Sequence, residues 1–351
     1  MSAPGAPVSG LHFTKRCVKP YKGDNKLDIS ILLALQQFRE GGGGIFLKFL
    51  EKMTFLGEMN TVLIIMAVVY WCIDKDMGAY LMMGWSGNRL VNGMLKVTAC
   101  VYRPWIRDAR VVPNVATMAT ATGYSFPSGH SMNAASVYGG CLVRSDFSRA
   151  SRIIFALTVA LVAFSRNYLG VHTPQDVLIG VSAGLLVMVL TYLLMRWIAI
   201  HPKEDKYVAV VGLILAVLVA TYAAVKPYPA DYDLEGKLIV DGAKMARDTF
   251  KGVGWCMAFL IGWILERRLV RFTTQISPYR RLTRLAVGLF TYYAVSLILV
   301  PLIASGISGA AGTLVSCFVQ MFYVVFLFPL LVKLAEGDQP EAVFGKKQKR
   351  P

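Results

Sequence analysis

Charged residues are scarce in this sequence of 351 residues. Asp, Glu, Lys and Arg together account for 17% of it, whereas about a quarter of the residues in a soluble globular domain are charged. Apolar residues make up 55%. This balance argues against a water-soluble globule and favours a protein that crosses a membrane several times.

Acidic residues and cysteines are also few. There are 21 acidic against 37 basic residues, a formal net charge of +16, but Lys and Arg form short clusters between apolar runs, as in membrane proteins rather than nucleic-acid-binding ones. The cysteines have no CxxC or paired spacing, so neither a zinc site nor a disulfide framework is predicted. They are Cys17, Cys72, Cys100, Cys141, Cys256 and Cys317. We expect them to pack as small apolar residues.

Long apolar runs are abundant, and a hydrocarbon core about 30 Å thick needs about 20 such residues per helix. Nine segments reach or approach this length, which predicts an all-α fold, a polytopic membrane bundle of about nine transmembrane helices. The segments are 55–73, 77–95, 131–143, 153–164, 177–200, 207–225, 252–265, 285–304 and 313–332. The earlier stretch 27–53 contains four consecutive glycines that would interrupt a helix, so we expect it to lie at the membrane interface.

Basic residues also predict the orientation, because cytoplasmic loops keep an excess of Lys and Arg. The connection 266–284 contains six arginines and the C-terminal tail is basic, so both are predicted to be cytoplasmic. Counting crossings backwards puts Lys96, Arg103 and Arg166 at the outer face, where binding an anion is the simplest reason for basic residues. The same count puts the basic N-terminus outside, against the trend, unless 27–53 also crosses.

The first candidate motif is the stretch KVTACVYRP, which contains Lys96 and Arg103. Lys supplies a compact charge and Arg a planar fork, two geometries that bind phosphate oxygens. Alone, the pair is better explained as basic side chains that reach the membrane surface. Arg89 lies two helical turns before Lys96, and an intramembrane Arg indicates either a function or a structural pair with a carboxylate.

The second motif is ATGYSFPSGHS, in which Ser128, Gly129 and His130 lead into an apolar helix. Backbone amides and a hydroxyl at a helix N-terminus form a ready anion site, and an imidazole follows directly. In isolation the motif is better explained as an ordinary helix cap.

The third motif is SRNYLGVHTPQD, with Arg166, His172 and Asp176. Pro174 and Asp176 are typical of a helix N-terminus, and the spacing of four residues lets the carboxylate reach the imidazole of His172. Such a contact fixes the tautomer and leaves the other ring nitrogen free as a nucleophile or base. The alternative is a loop histidine and a capping aspartate.

Taken in order, the three motifs resemble those of the type 2 phosphatidic acid phosphatase superfamily, which includes lipid phosphate phosphatases, glucose-6-phosphatase and the vanadium haloperoxidases. The resemblance covers roughly 55–197. It implies a membrane-embedded phosphatase core of five helices at 54–200. An N-terminal basic and interfacial segment, 1–53, would precede this core, and a four-helix transmembrane extension with a basic cytoplasmic tail, 201–351, would follow it.

The resemblance also implies hydrolysis of a phosphate or pyrophosphate monoester at the outer membrane face, without a metal or other cofactor. His172 would form a phosphohistidine and Asp176 would orient it, while His130 would protonate the leaving oxygen and later activate water. The residues implied to bind the phosphate are Lys96, Arg103, Ser128, Gly129 and Arg166.

Catalytic groups beside membrane helices favour a lipid substrate whose tail stays in the bilayer. No nucleic-acid partner is expected. The family suggests phosphatidic acid, phosphatidylglycerol phosphate, diacylglycerol pyrophosphate or a polyprenyl pyrophosphate, and the sequence does not rank them or predict an oligomeric state. One alternative is a phosphotransferase that uses the same site. Another is a non-catalytic lipid-binding or transport relative, against which the complete set of nucleophile, acid and orienting carboxylate argues.

Overall fold

The computed structural model describes residues 26–42, 44–118, 121–144, 146–233 and 235–337. Within these ranges the chain is a bundle of helices joined by loops, and its one extended pairing is an isolated antiparallel bridge between Tyr232 and Leu238. The predicted all-α fold is confirmed. The basic residues predicted to flank the bundle before residue 26 and after 337 lie outside the described residues, as does Cys17.

The helices fall into three groups along the chain. Before the first motif come α1 Lys26–Glu40, α2 Gly44–Phe55 and α3 Met59–Val68. The motif region contains α4 Lys75–Ala99, α5 Pro104–Arg107, α6 Val115–Met118, α7 Gly129–Ala134, α8 Gly140–Val143, α9 Arg149–Tyr168 and α10 Pro174–Ile200. After it come α11 Asp205–Val225, α12 Gly242–Leu265, α13 Pro278–Ala294, α14 Val300–Gly306, α15 Gly309–Phe322 and α16 Phe328–Glu336. π-Helical stretches extend or join several of them, at Val69–Ile73, Ala135–Gly139, Glu266–Val270, Val295–Leu299 and Tyr323–Leu327.

Each apolar segment predicted to cross the membrane is helical in the structure, except that a turn at 56–58 interrupts the segment 55–73. The predicted break at the four glycines separates α1 from α2. Among the described residues, five helices are long and apolar enough to span a membrane: Arg149–Tyr168, Pro174–Ile200, Asp205–Val225, Pro278–Gly306 and Gly309–Glu336. The helices Gly44–Phe55 and Met59–Ile73 meet that length and composition only when taken together, and they are bent by 57° at the break between them. The predicted count of nine is therefore not confirmed. α4 and α12 are long enough but more polar, because both contribute polar side chains to an internal cavity.

α4 is the central helix, packed against α3, α10, α11 and α12. Its Trp85 is fully buried and its N-terminus is capped by Asp74, whose carboxylate accepts a hydrogen bond from the Met77 amide at 2.9 Å. At 1.5 Å per residue the helix is about 37 Å long, so its two ends lie at opposite ends of the bundle. One end pairs Lys75 with Glu266 at 2.6 Å. The other end contains Lys96.

The outer helices expose apolar side chains, as expected for surfaces that face lipid. Phe290, Leu297 and Leu302 are each at least two-thirds exposed. The cysteines that the structure describes form no disulfide, and all but the half-buried Cys100 are buried, in agreement with the predicted apolar packing. The division of the chain at residues 53 and 200 stays a prediction.

Candidate active site

The three motifs meet at the C-terminal end of α4, around a cavity of about 350 Å³. This volume is in the range of small-molecule sites. Of the residues predicted to form a site, those that line the cavity are Lys96, Arg103, Gly129, His130, Arg166 and His172. The structure thus brings together side chains from α4, α7, α9 and two loops.

His172 lies in the short loop between α9 and α10 and is buried. Its Nε2 accepts a hydrogen bond from Arg103 Nη1 at 2.9 Å. Because a guanidinium can only donate, this Nε2 holds a lone pair and the ring proton is on Nδ1. Nδ1 in turn lies 3.3 Å from Ser125 Oγ and 3.5 Å from Asp176 Oδ2. The geometry therefore selects the tautomer with its proton on Nδ1, and the Nε2 lone pair of this cavity-lining residue accepts the Arg103 hydrogen bond.

Asp176 is fixed by the start of α10. The Thr173 hydroxyl accepts from the Asp176 amide and the Asp176 carboxylate accepts from the Thr173 amide at 2.9 Å, a reciprocal capping box. The same Oδ2 accepts a hydrogen bond of 2.5 Å from Ser125 Oγ. Asp176 lies behind His172, so it acts on the imidazole and not on a ligand in the cavity.

Arg103 joins the first motif to the other two. Its Nε donates to the Gly123 carbonyl at 3.1 Å and its Nη1 to the Val171 carbonyl at 2.9 Å, besides the contact with His172. The Trp105 ring lies 5.9 Å from the guanidinium carbon. Since these contacts fix the planar group on several sides, Arg103 is held in position beside the nucleophile candidate before any ligand binds.

Lys96 has a second role that its sequence position did not reveal. Its ammonium donates to the carbonyls of Tyr124, Ser125 and Pro127 at 3.0, 3.3 and 3.1 Å. An ammonium has three donors, so all three are used in holding the loop before α7 against α4. Its positive charge nevertheless remains at the cavity wall, where it can attract an anion.

Arg166 and His130 offer polar groups to the cavity more directly. Arg166 Nη1 donates to Thr54 Oγ1 at 2.6 Å, while its Nε is buried and has no partner among the described residues. His130 Nε2 is likewise buried and without a hydrogen-bond partner in the described part of the chain. Both side chains line the cavity, so a bound phosphate could satisfy them.

Ser128 differs from the other predicted site residues. It is the N-cap of α7, and its hydroxyl accepts from Ser131 Oγ at 2.9 Å and from the Ser131 amide at 3.4 Å. It does not line the cavity, whereas its neighbour Gly129 does. The observed contacts of Ser128 are therefore those of an ordinary helix cap. Contact between Ser128 and a phosphate stays a prediction.

Ser125 is the functional candidate that sequence reasoning undervalued. It lies within the second motif, but a serine there gives no signal of its own. Only the structure brings its hydroxyl close to both His172 and Asp176. Sequence reasoning also missed Asp248 and Lys251 in α12, because they belong to no motif. Both line the cavity. Among the described residues no group of three or more His, Cys, Asp or Glu side chains is arranged to hold a metal ion.

Two protein-family models match parts of this chain. Residues 77–200 match the PAP2 superfamily model. Residues 250–336 match the model described as PAP2 superfamily phosphatase, transmembrane extension. The chain is 40% identical over 121 residues to phosphatidylglycerophosphatase B of Bacillus subtilis (strain 168), which covers 32% of this chain and 55% of that protein.

Two further proteins are similar to parts of this chain. Lipid phosphate phosphatase delta of Arabidopsis thaliana is 34% identical over 97 residues, 25% of this chain and 22% of that protein. The crystal structure of a transmembrane PAP2-type phosphatidylglycerolphosphate phosphatase from Bacillus subtilis is 29% identical, with a TM-score of 0.40 over 49% of this chain and 86% of that one. The chain thus spans about half, or less, of the length of the two curated relatives.

The two family matches correspond to two parts of the described molecule. The first contains all three motifs and the catalytic candidates, and the second contains most of α12 and the helices that follow it. This confirms the predicted resemblance and the existence of a membrane extension after the motif region. A PAP2 domain followed by a PAP2 transmembrane extension makes the chain an integral membrane member of the PAP2 superfamily.

Proposed function

We propose that the protein is a membrane phosphatase that hydrolyses a lipid phosphate or lipid pyrophosphate through a phosphohistidine intermediate and without a metal ion. The observation that supports this best is the state of His172: its unprotonated Nε2 faces a cavity lined by three basic side chains of the motifs, with Asp176 on the opposite ring nitrogen. The names of the relatives, a phosphatidylglycerophosphatase and a lipid phosphate phosphatase, support the substrate class.

The proposed reaction has two steps. The hydrogen bond from Arg103 to His172 Nε2 breaks as the guanidinium turns to the bound phosphate. The freed Nε2 lone pair attacks phosphorus and forms a P–N bond while the P–O bond to the lipid breaks, and His130 gives the leaving oxygen a proton. His130, now neutral, then takes a proton from water, whose oxygen attacks phosphorus and breaks the P–N bond. A bound phosphate dianion brings negative charge beside His130 and favours the imidazolium that the first step needs.

The basic side chains supply charge stabilisation. Arg103 and Arg166 lie on the cavity wall, where they can balance the charge on the three equatorial oxygens of the transferred group. Lys96 adds its charge and keeps the loop of the second motif in place. Ser125 and Asp176 stabilise the imidazole after phosphorylation, when both of its nitrogens carry a substituent.

We further propose that the active site faces the outer side of the membrane. The cavity lies at the C-terminal end of α4, and α12 runs from this cavity to the connection that begins at Glu266 and contains six arginines. Because basic connections stay in the cytoplasm, the opposite end of the bundle is expected to be extracytoplasmic. Substrate lipids would then enter from the outer leaflet.

The direct test is phosphate release by the detergent-purified full-length protein in the presence of a chelator. Phosphatidic acid, phosphatidylglycerol phosphate, diacylglycerol pyrophosphate and a polyprenyl pyrophosphate form the panel. We expect release of inorganic phosphate from at least one lipid, undiminished by the chelator. Loss of the lipid phosphate without release of inorganic phosphate, only when an acceptor lipid is present, would instead indicate a phosphotransferase. Activity that disappears in chelator would contradict metal independence.

The pH dependence of kcat/KM tests the state of His172. Burial and the neighbouring Arg103 guanidinium lower the pKa of His172 well below its usual value near 6.5, although Asp176 acts in the opposite direction. Because the unprotonated form attacks, activity should persist at mildly acidic pH and fall only as the pH drops through this lowered pKa. We expect an acid limb below pH 6.5.

Asp176→Asn provides the control for this prediction, since ionisation of the substrate phosphate also contributes to an acid limb. Removing the carboxylate takes away the charge that raises the pKa of His172, so the limb should move to lower pH, while the substrate's own ionisation is unaffected. A limb that is identical in the two proteins would show that His172 is not the titrating group.

A further inference from the structure

One wall of the cavity comes from α12, outside the three motifs. Asp248 and Lys251 line this wall beside Lys96 and Arg103 of the motif region. The position of α12 therefore raises the question of what these side chains bind.

α12 approaches α4 almost to backbone contact. A β-carbon added to Gly252 would lie 3.0 Å from the Arg89 carbonyl oxygen, and one added to Gly93 would lie 3.0 Å from Thr249 Cγ2. Such distances leave no room for larger side chains. The two glycines thus allow the close approach that brings Lys251 into the same cavity as Arg89.

Arg89 reaches the cavity from α4 at the level of the second motif. Its Nη1 lies 3.7 Å from the point that a β-carbon on Gly129 would occupy, and the guanidinium carbon is 5.9 Å from the Trp255 ring. Its Nε is buried and without a hydrogen-bond partner among the described residues. No carboxylate in the described part of the chain lies within ion-pair distance of it. Arg89 therefore has no direct ion pair in this part of the chain, and Asp248 is the carboxylate that acts on it through the cavity.

Lys251 is paired, but in a way that leaves it available. Its Nζ lies 2.7 Å from Asp248 Oδ1, and the two side chains are 38% and 31% exposed. Ion pairs with this exposure are weak because water screens them. An anion in the cavity can therefore compete with Asp248 for the ammonium.

The charge on the cavity wall exceeds what one phosphate needs. The wall includes two acidic side chains, Glu58 and Asp248, and five basic ones. The basic side chains are Arg89, Lys96, Arg103, Arg166 and Lys251. A phosphate monoester brings at most two negative charges, and Arg103, Arg166 and Lys96 already suffice to balance them. With the two acidic side chains counted, the wall has a formal charge of +3, which a phosphate dianion lowers to +1. Arg89 and the exposed Lys251–Asp248 pair can therefore accommodate a further anionic group.

We propose that Arg89 and Lys251 form a second phosphate subsite, which selects substrates with a second phosphate close to the one that is removed. This inference rests on the proposed lipid phosphatase function and assigns a specificity role to the extension. The second phosphate is joined either directly, as in a lipid pyrophosphate, or through a short polyol, as in phosphatidylglycerol phosphate. Both chemistries present an additional anion that a planar guanidinium and an ammonium can bind.

The test compares Lys251→Gln with wild type, using kcat/KM for phosphatidic acid, diacylglycerol pyrophosphate and phosphatidylglycerol phosphate. We expect the ratio of a two-phosphate lipid to phosphatidic acid to fall about tenfold or more, the effect of losing one charge-assisted contact. Lys237→Gln, which removes the same charge from an exposed loop residue, should leave the ratio unchanged. The lipid whose ratio falls identifies the linkage. A ratio that Lys251→Gln does not change would overturn the proposal.

Binding separates this inference from the proposed catalysis. Full-length His172→Ala protein should bind inorganic pyrophosphate more tightly than orthophosphate in calorimetric titrations, and adding Lys251→Gln should remove most of that preference. Arg89→Gln should have the same effect where the variant is stably folded. If wild type hydrolyses no lipid but this preference is present, the proposed function fails and the subsite stands. If neither anion is preferred, the second subsite is wrong even when phosphatidic acid is hydrolysed.

Discussion

Replacement of His172 by alanine is expected to lower kcat/KM for the lipid substrate by at least about 10,000-fold, the scale of loss seen when a covalent nucleophile is removed. The reason is geometric: His172 Nε2 is the unprotonated ring nitrogen at the cavity, and Arg103 is already in place beside it. The measurement is phosphate release, combined with trapping of the intermediate. Substrate labelled in its terminal phosphate should leave label on quenched wild-type protein and none on the variant.

His201→Ala is the matched control. His201 is exposed at the C-terminal end of α10, where its ring stacks on Trp197 at 4.9 Å, far along the helix from the cavity. This variant should keep both turnover and labelling. A His172→Ala protein that remains folded and active, or that still becomes labelled, would show that another group forms the covalent intermediate.

Replacement of His130 by glutamine is expected to slow hydrolysis of the lipid by about 100- to 10,000-fold, the usual contribution of a general acid or base. The loss should depend on the leaving group, because a lipid alkoxide needs a proton and a nitrophenolate does not. With p-nitrophenyl phosphate, the first turnover should remain fast and release a burst of nitrophenolate. Later turnovers should be slow, since the proposed base that activates water is missing.

Pre-steady-state absorbance measurements on wild type and His130→Gln give this comparison directly. A uniform loss for both leaving groups, without a burst, would mean that His130 positions the phosphate and does not transfer a proton. The structural basis for expecting proton transfer is that His130 Nε2 is buried at the cavity and has no hydrogen-bond partner among the described residues.

The sequence predicted much of the site because the relevant signals are local. In the third motif, the spacing of His172 and Asp176 and the proline between them indicated a helix start, and the structure has Thr173 and Asp176 in a capping box there. Runs of apolar residues likewise predicted helices, and those segments are helical apart from the turn at 56–58. Charge and hydropathy could not determine the number of spans. α4 and α12 are long helices inside the bundle, but they are too polar to be recognised as membrane spans from composition alone.

Other features depend on contacts between residues far apart in the sequence. Ser125 and Asp176 are 51 positions apart, yet a hydrogen bond of 2.5 Å joins them. Lys96 is predicted from its motif to bind phosphate, and in the structure its three donors also hold backbone carbonyls of a loop 28 to 31 residues away. No spacing rule predicts such contacts, since they arise only when helices pack and loops close over them.

By itself, the sequence determined that this is a helical membrane protein and which histidines, arginines and lysine form the motifs, because hydropathy and local helix starts are properties of neighbouring residues. Only the tertiary structure decided the tautomer of His172, the inward position of Arg89 and the contribution of Lys251 to the cavity. The physical reason is that these depend on the close packing of α12 on α4 and on the convergence of loops at one end of the bundle.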